Sequence, residues 1–145
     1  VNAGFLNWLN MPPVWLLGAM AVAWFLRTAP GWPWIGGAVM LAGAALLGWA
    51  AVAFRAARTT IIPREHPSAL VAAGPYRFSR NPIYIADCVI LAGWCVAIGA
   101  PWGLLLVPLL GVILDWLFIR PEEKVLDAEL GEPYRRYRAQ VRRWL

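Results

Sequence analysis

Charge is scarce in this chain. Only 14% of its 145 residues are Asp, Glu, Lys or Arg, against about 25% in an ordinary soluble domain. No charge precedes Arg27, and none falls between Arg27 and Arg55. The remaining basic residues gather in two clusters, Arg55–Arg80 and Arg120–Arg143, rather than spreading over a surface. That placement argues against nucleic acid as a partner. The only cysteines, Cys88 and Cys95, stand seven apart in one apolar helix, roughly 10.5 Å along its axis. They are too far apart for a bridge within it, and they imply neither a disulfide scaffold nor a metal site. Histidine occurs once, at His66, in a loop where it is a weak base candidate. No G-x-G-x-x-G and no phosphate-binding loop occurs, which excludes a soluble nucleotide fold. The first apolar stretch has no basic region ahead of it, so no cleaved signal peptide is expected.

What the chain has is apolar length. It is 61% hydrophobic, with a mean hydropathy of +0.58 and ten tryptophans, which suits helices in lipid with aromatic residues at the interfaces. Val1–Asn10 is short and amphipathic and suits an interfacial position. A first span is expected from Pro12 to about Leu26, short for a bilayer that needs about 20 residues. A second is expected over about 34–54, rich in Gly and Ala that allow close helix approach. A third runs over about 82–100 and a fourth over about 104–119. Arg120-Pro121 then breaks the pattern, and a charged helix follows to Arg143. The expectation is an all-α polytopic membrane protein with about four transmembrane helices and a C-terminal helix in the cytoplasm. It forms one domain over 1–145, with the first two spans in 1–58 and the working core in 59–145. The positive-inside bias puts both basic clusters and both termini in the cytoplasm, in a bacterial inner membrane. Tyr134, Tyr137, Val141 and Trp144 recur at helical spacing among arginines. This suits either an amphipathic helix on the membrane surface or a solvated helix capping the site.

Two polar blocks interrupt the apolar pattern. The first, LVAAGPYRFSRNPIY over Leu70–Tyr84, holds Arg77, Arg80, Asn81 and two tyrosines. Gly74-Pro75 and Asn81-Pro82 mark turns, and Pro82 is a favoured first-turn residue for the helix that follows. The second runs from Arg120 to Glu132. The two blocks are expected to meet and form the working site. Asp87 and Asp115 lie within spans, where an acid is functional by default, though acids also join helices as packing glue. Asp87 shares a helix face with Tyr84, three residues before it. Asp115, Phe118 and Glu122 share a face if the helix continues past Pro121. Glu122-Glu123 at a helix start could simply complement the helix dipole. Two other readings stay open at this level. One is a non-enzymatic four-helix membrane protein, a small transporter or assembly factor using Asp87 or Asp115. The other is a lipid-surface module using the basic tail.

The runs GPYRFSRNPIY (Gly74–Tyr84) and PEEKVLDAELGEPYRRYRAQVRRW (Pro121–Trp144), with a span pair between them, together resemble one family. It is the isoprenylcysteine carboxyl methyltransferases of membranes, with their phospholipid methyltransferase relatives. The resemblance covers the chain from about Thr59 onward. It implies a methyltransferase that uses S-adenosylmethionine and acts on a lipophilic small molecule or lipid with a carboxylate, amine or thiol acceptor at the cytoplasmic face. Carried onto this chain, Leu70 and Val71 would offer backbone contacts to the cofactor, and Tyr76 would line its pocket. Asn81, Pro82 and Tyr84 would sit at its amino-acid and ribose portions, with Gly74 and Arg80 in the same block. Glu122 would lie where cofactor and acceptor meet, with Glu123 beside it. Arg120 is the arginine nearest the position of the family's substrate-side arginine. Gly131 and Tyr134 match its Gly-x-x-Tyr. Many members carry His at the position of Asn81, and those acting on prenylated proteins carry a His near Ser68. An amide at Asn81 can hydrogen-bond but cannot carry a proton.

Overall fold

The structure is a computed structural model that describes residues 10–57 and 70–145. The expectations for Val1–Leu9, His66 and Ser68 fall outside the described residues. The described residues are mainly helical, with no strand among them. Four apolar helices appear, as the hydropathy pattern requires. They are α1 (Pro12–Phe25), α2 (Pro33–Ala57), α3 (Pro82–Ile98) and α4 (Leu106–Leu114). A 3₁₀ segment, Pro101–Leu105, leads into α4. A π-helical turn, Asp115–Ile119, carries it into α5 (Arg120–Leu130), and α6 (Glu132–Gln140) follows.

Two of these helical stretches, Pro33–Ala57 with 25 residues and Pro101–Leu130 with 30, are long and apolar enough to cross a membrane. The other two have 14 and 17 residues. At 1.5 Å per residue they reach roughly 21 and 26 Å, short of a hydrocarbon core about 30 Å thick. Large apolar side chains face outward, among them Leu17, Phe25, Trp34, Leu41, Val52 and Leu105. So much outward apolar surface is a liability in water and ordinary against lipid.

Prolines start the helices. Pro12, Pro33 and Pro82 each fall in a first turn, where the missing N–H has no intrahelical partner to lose. The centre of the fold is the α2–α3 contact, made by small residues. A Cβ added at Gly93 would come within 2.7 Å of both Gly36 O and Met40 N, and one at Gly43 within 2.7 Å of Ile90 Cγ1. The backbones can touch only because these side chains are absent. On the other side of α3, α1 is held by a stacked Trp24–Trp94 pair and by Trp94 Nε1, which donates to Met20 O at 3.1 Å. The α1–α2 loop caps the far end of α3, since the Thr28 and Ala29 amides both donate to Gly99 O at 3.1 Å. Arg27, with its guanidinium 3.4 Å over Trp24, lies at this end. The polar blocks lie at the other end of α3, as the charge pattern predicts.

The helix boundary expected at Arg120-Pro121 is not where the chain breaks. Pro121 lacks an N–H and would clash in a regular α-helix. Here the preceding turn widens instead, and the Arg120 amide donates to Asp115 O, five residues back. This i→i+5 geometry is a π turn, and it carries the helix through Pro121 to Leu130. The break comes at Gly131, with φ 57° and ψ −127°. The tail helix also ends before Arg143, because Val141 is extended with φ −115° and ψ 129°.

Candidate active site

The Leu70–Tyr84 block folds against the C-terminal end of α2. Gly74 takes φ 59° and opens a short 3₁₀ turn, Gly74–Arg77. Val71 and Tyr76 pack on Ala50 and Ala53, and the Tyr76 ring meets Phe54 edge-on at 5.3 Å. Pro82 is buried where α3 begins, and Leu70 is half-buried.

The two polar blocks meet at one contact. Tyr84 Oη donates to Glu122 Oε1 at 2.6 Å across 38 positions of sequence. The Tyr84 ring also tilts against Phe118 at 6.3 Å. Of the face expected for Asp115, Phe118 and Glu122, only Phe118 and Glu122 meet Tyr84; the Asp115 carboxylate, at the start of the π turn, goes to Arg120 and Arg143 instead. Glu122 lies near enough to Tyr76 for its charge to act there. Burial pushes the Tyr76 phenol well above its ordinary value, and the nearby Tyr137 and Glu122 push the same way. A carboxylate held by one phenol and close to a second is an environment that favours a cation by charge.

Glu123 points elsewhere, since successive helix positions diverge by about 100°. Its carboxylate bonds Arg80 Nη1 at 3.0 Å and takes Arg143 in a fork, Nε at 3.0 Å and Nη2 at 2.6 Å. Arg143 Nη1 also reaches Asp115 Oδ1 at 3.3 Å, and Arg120 Nε donates to Asp115 Oδ2 at 2.7 Å. The bond to Glu123 is the main reason the Arg143 guanidinium holds its proton more tightly than usual. This five-membered network pins the tail. Asn81 Nδ2 donates to Arg143 O at 2.9 Å, Ser79 Oγ to the same oxygen at 3.3 Å, and the Arg80 amide to Arg142 O at 3.0 Å. Tyr137 Oη donates to Tyr76 O at 2.7 Å. Tyr134, 1% exposed, lies beside Arg80 Nη1 at 3.5 Å.

Of the residues expected from sequence, Tyr76, Tyr84 and Glu122 converge. Arg80 and Glu123 converge beside them as an ion pair. The Asn81 side chain is turned to the tail carbonyl. Arg120 stands with Asp115, its guanidinium 4.2 Å over the Trp116 ring. The tail caps the site with Tyr134 and Tyr137 buried in protein, which selects the capping reading over a helix on the membrane surface. The residue that sequence missed is Arg143. Its neighbours Arg135, Arg136, Arg138 and Arg142 are also basic, so nothing in the pattern set it apart.

The donor set fits S-adenosylmethionine. The Glu122 carboxylate, held by Tyr84 and near Tyr76, would suit a sulfonium. Arg80 Nε is sealed from solvent without a hydrogen-bond partner among the described residues, a donor suited to a carboxylate.

Fold and site together define a helical membrane protein with a buried carboxylate–phenol contact at one end of its bundle. The family model for phospholipid methyltransferases matches residues 32–132, and the chain belongs to that family. The match takes in α2, which sequence reading had left outside the resemblance and which the glycine contacts fix against α3. An uncharacterized protein of Haemophilus influenzae is 33% identical over 63 residues, 43% of this chain and all of the relative. No solved structure matches.

Proposed function

We propose that this protein transfers a methyl group from S-adenosylmethionine to a lipophilic or membrane-delivered acceptor at the cytoplasmic face of a bacterial inner membrane, with both termini on that side. The observation that carries the reading is the Tyr84–Glu122 hydrogen bond of 2.6 Å. It brings together two segments on either side of the α3–α4 pair. When bound, the cofactor supplies an electrophilic methyl on a positively charged sulfur.

The chain's residues do the rest. Tyr84 fixes Glu122, so the carboxylate is oriented before any ligand arrives, and preorganised charge of this kind acts without reorganisation. Tyr76 and Tyr84 supply ring faces for a cation, and Arg80 a donor for a carboxylate. Leu70 and Val71, in the segment that packs Tyr76 on α2, would offer backbone groups. Gly74 allows the turn that aims Tyr76. Positioning supplies most of the rate in such a displacement. A carboxylate or thiolate acceptor needs no base. For an amine or hydroxyl, Glu122 is the carboxylate placed to take the proton, because Glu123 is locked between Arg80 and Arg143.

The test is incubation of the purified protein with methyl-labelled S-adenosylmethionine and a membrane lipid extract, with mass spectrometry of the products. A labelled lipophilic product is expected, reduced at least about 100-fold by Glu122→Gln. Undiminished product from Glu122→Gln would remove Glu122 from the chemistry, and no product from any lipid fraction would remove the activity.

A further inference from the structure

Two arginines share the Glu123 carboxylate, and they use it differently. Arg143 commits its whole guanidinium to protein. Its Nε and Nη2 fork onto Glu123 at 3.0 and 2.6 Å, and its Nη1 reaches Asp115 at 3.3 Å. Arg80 gives only one corner. Its ion pair with Glu123 at 3.0 Å and its hydrogen bond to Tyr134 both run through Nη1. Its Nε is sealed from solvent with no partner among the described residues, in a side chain only 11% exposed. A buried donor without an acceptor is costly, and each such group in a native structure calls for an explanation. That Nε belongs to the side edge of the guanidinium, which it forms with Nη2. This edge is the two-donor fork that matches a carboxylate.

The asymmetry originates in Arg143. Its fork takes both oxygens of Glu123, so Arg80 shares Oε1 and makes no two-pronged pair of its own. The tail grips the same residue at its other end. The Arg80 amide donates to Arg142 O at 3.0 Å. On either side of it, Ser79 Oγ and Asn81 Nδ2 both donate to Arg143 O, at 3.3 and 2.9 Å. Two consecutive tail residues thus fix Arg80 at its backbone and, through Glu123, at its head. Pinning the tail requires neither the competition for Glu123 nor a donor left empty. We propose that Arg143 is a positioning residue. By occupying Glu123 it keeps the Arg80 fork open for the carboxylate of S-adenosylmethionine, and so sets the preference of the site for ligands that carry that group. This rests on the cofactor reading above and adds to it the residue that makes the site selective. Arg143 acts only through Arg80, because each nitrogen of its own guanidinium is already engaged.

The test is a ratio of affinities and needs no methyl transfer. Isothermal titration compares S-adenosylmethionine with its decarboxylated analogue, which keeps the sulfonium and the amine and lacks only the carboxylate. The native protein should bind the cofactor about 10- to 100-fold more tightly, the range for hydrogen bonds between charged groups. Arg143→Gln should bring the two affinities within about threefold, by weakening the cofactor alone. Arg143→Lys covers the case in which the Gln variant does not fold. It keeps a charge beside Glu123, but one ammonium cannot fork both oxygens, so the preference should drop at least about threefold. Arg135→Gln breaks an exposed tail pair with Asp127 and should leave the preference unchanged. A role confined to anchoring the tail weakens both ligands equally, and an unchanged ratio in a folded Arg143 variant would overturn the proposal. So would a preference lost in Arg135→Gln. A native protein that binds both ligands alike would overturn it while leaving the sulfonium site standing. A folded native protein that binds neither would remove it together with the cofactor reading.

Discussion

Glu123→Gln isolates the network that holds the tail on the site. The substitution keeps shape and removes one charge. Arg80 and Glu123 have side chains only 11% and 12% exposed, so the lost pair is a buried one. Removing one partner of such a pair costs about 3–5 kcal/mol, because the other charge stays buried without compensation. The Arg143 share is smaller. Its side chain is 35% exposed, and water and Asp115 soften the loss, so about 1 kcal/mol or less applies there. Gln can still accept one hydrogen bond, which returns about 1 kcal/mol. The net expectation is a loss of about 3–4 kcal/mol. At ~2–4 °C per kcal/mol for chains near this size, melting should fall by about 10 °C. Ten tryptophans make intrinsic fluorescence in detergent micelles a direct probe. Trypsin offers a second readout, since Arg135, Arg136 and Arg138 should become cleavable well below the melting point once the tail lifts. A melting point within about 2 °C of the parent, with an equally resistant tail, would mean that the Arg80–Glu123–Arg143 network does not hold the site together.

Three other outcomes follow from the geometry. Gly131→Ala should cost about 1–3 kcal/mol, because φ 57° with ψ −127° is a conformation for glycine. No atom lies within 4 Å of the added Cβ, so the whole loss is backbone strain; a melting point equal to the parent's would contradict it. Gly93→Leu should separate α2 from α3 and abolish accumulation of folded protein, measured by size-exclusion recovery, whereas Gly37→Ala, with nothing within 4 Å, should leave recovery unchanged. Burial raises the phenols of Tyr76, Tyr134 and Tyr137 above the ordinary 10.0. Stability from these groups is therefore complete below pH about 10 and lost as pH climbs toward their folded values, since only the unfolded chain then releases the protons. Phenolate absorbance should lag behind free tyrosine and then rise together with unfolding; early titration of Tyr76, Tyr134 and Tyr137 would contradict their burial.

The sequence carried the all-α class, the four apolar helices and the meeting of the two polar blocks. Tyr84 and Glu122 were legible because each stands at the polar end of an apolar run, where local pattern and burial agree. Glu123 was read with Glu122 because they are adjacent, yet one step along a helix sends the two side chains to different partners. Arg143 was illegible for a related reason. Helical spacing through Trp144 placed it on a solvated face, but the chain becomes extended at Val141 and returns Arg143 to Glu123 and Asp115. That reversal depends on contacts about 20 and 28 positions away, which no local window contains. The helix through Pro121 was hidden likewise, because proline normally marks a break and the π turn that absorbs it is set by packing of Phe118 and Ile119 in the core. The close approach of α2 was legible in its glycines and alanines; the partner Gly93 on α3, which meets Gly36, was not.

The central claim is that Tyr84 and Glu122 form a pocket for a positively charged methyl donor. Isothermal titration of the purified protein with S-adenosylmethionine, beside Glu122→Gln, tests it most directly. The expected result is saturable binding by the parent and at least about tenfold weaker binding by the variant, whose melting point stays within a few degrees because Gln can still accept from Tyr84. Absence of binding by a folded parent, or equal affinity in the two proteins, would contradict it.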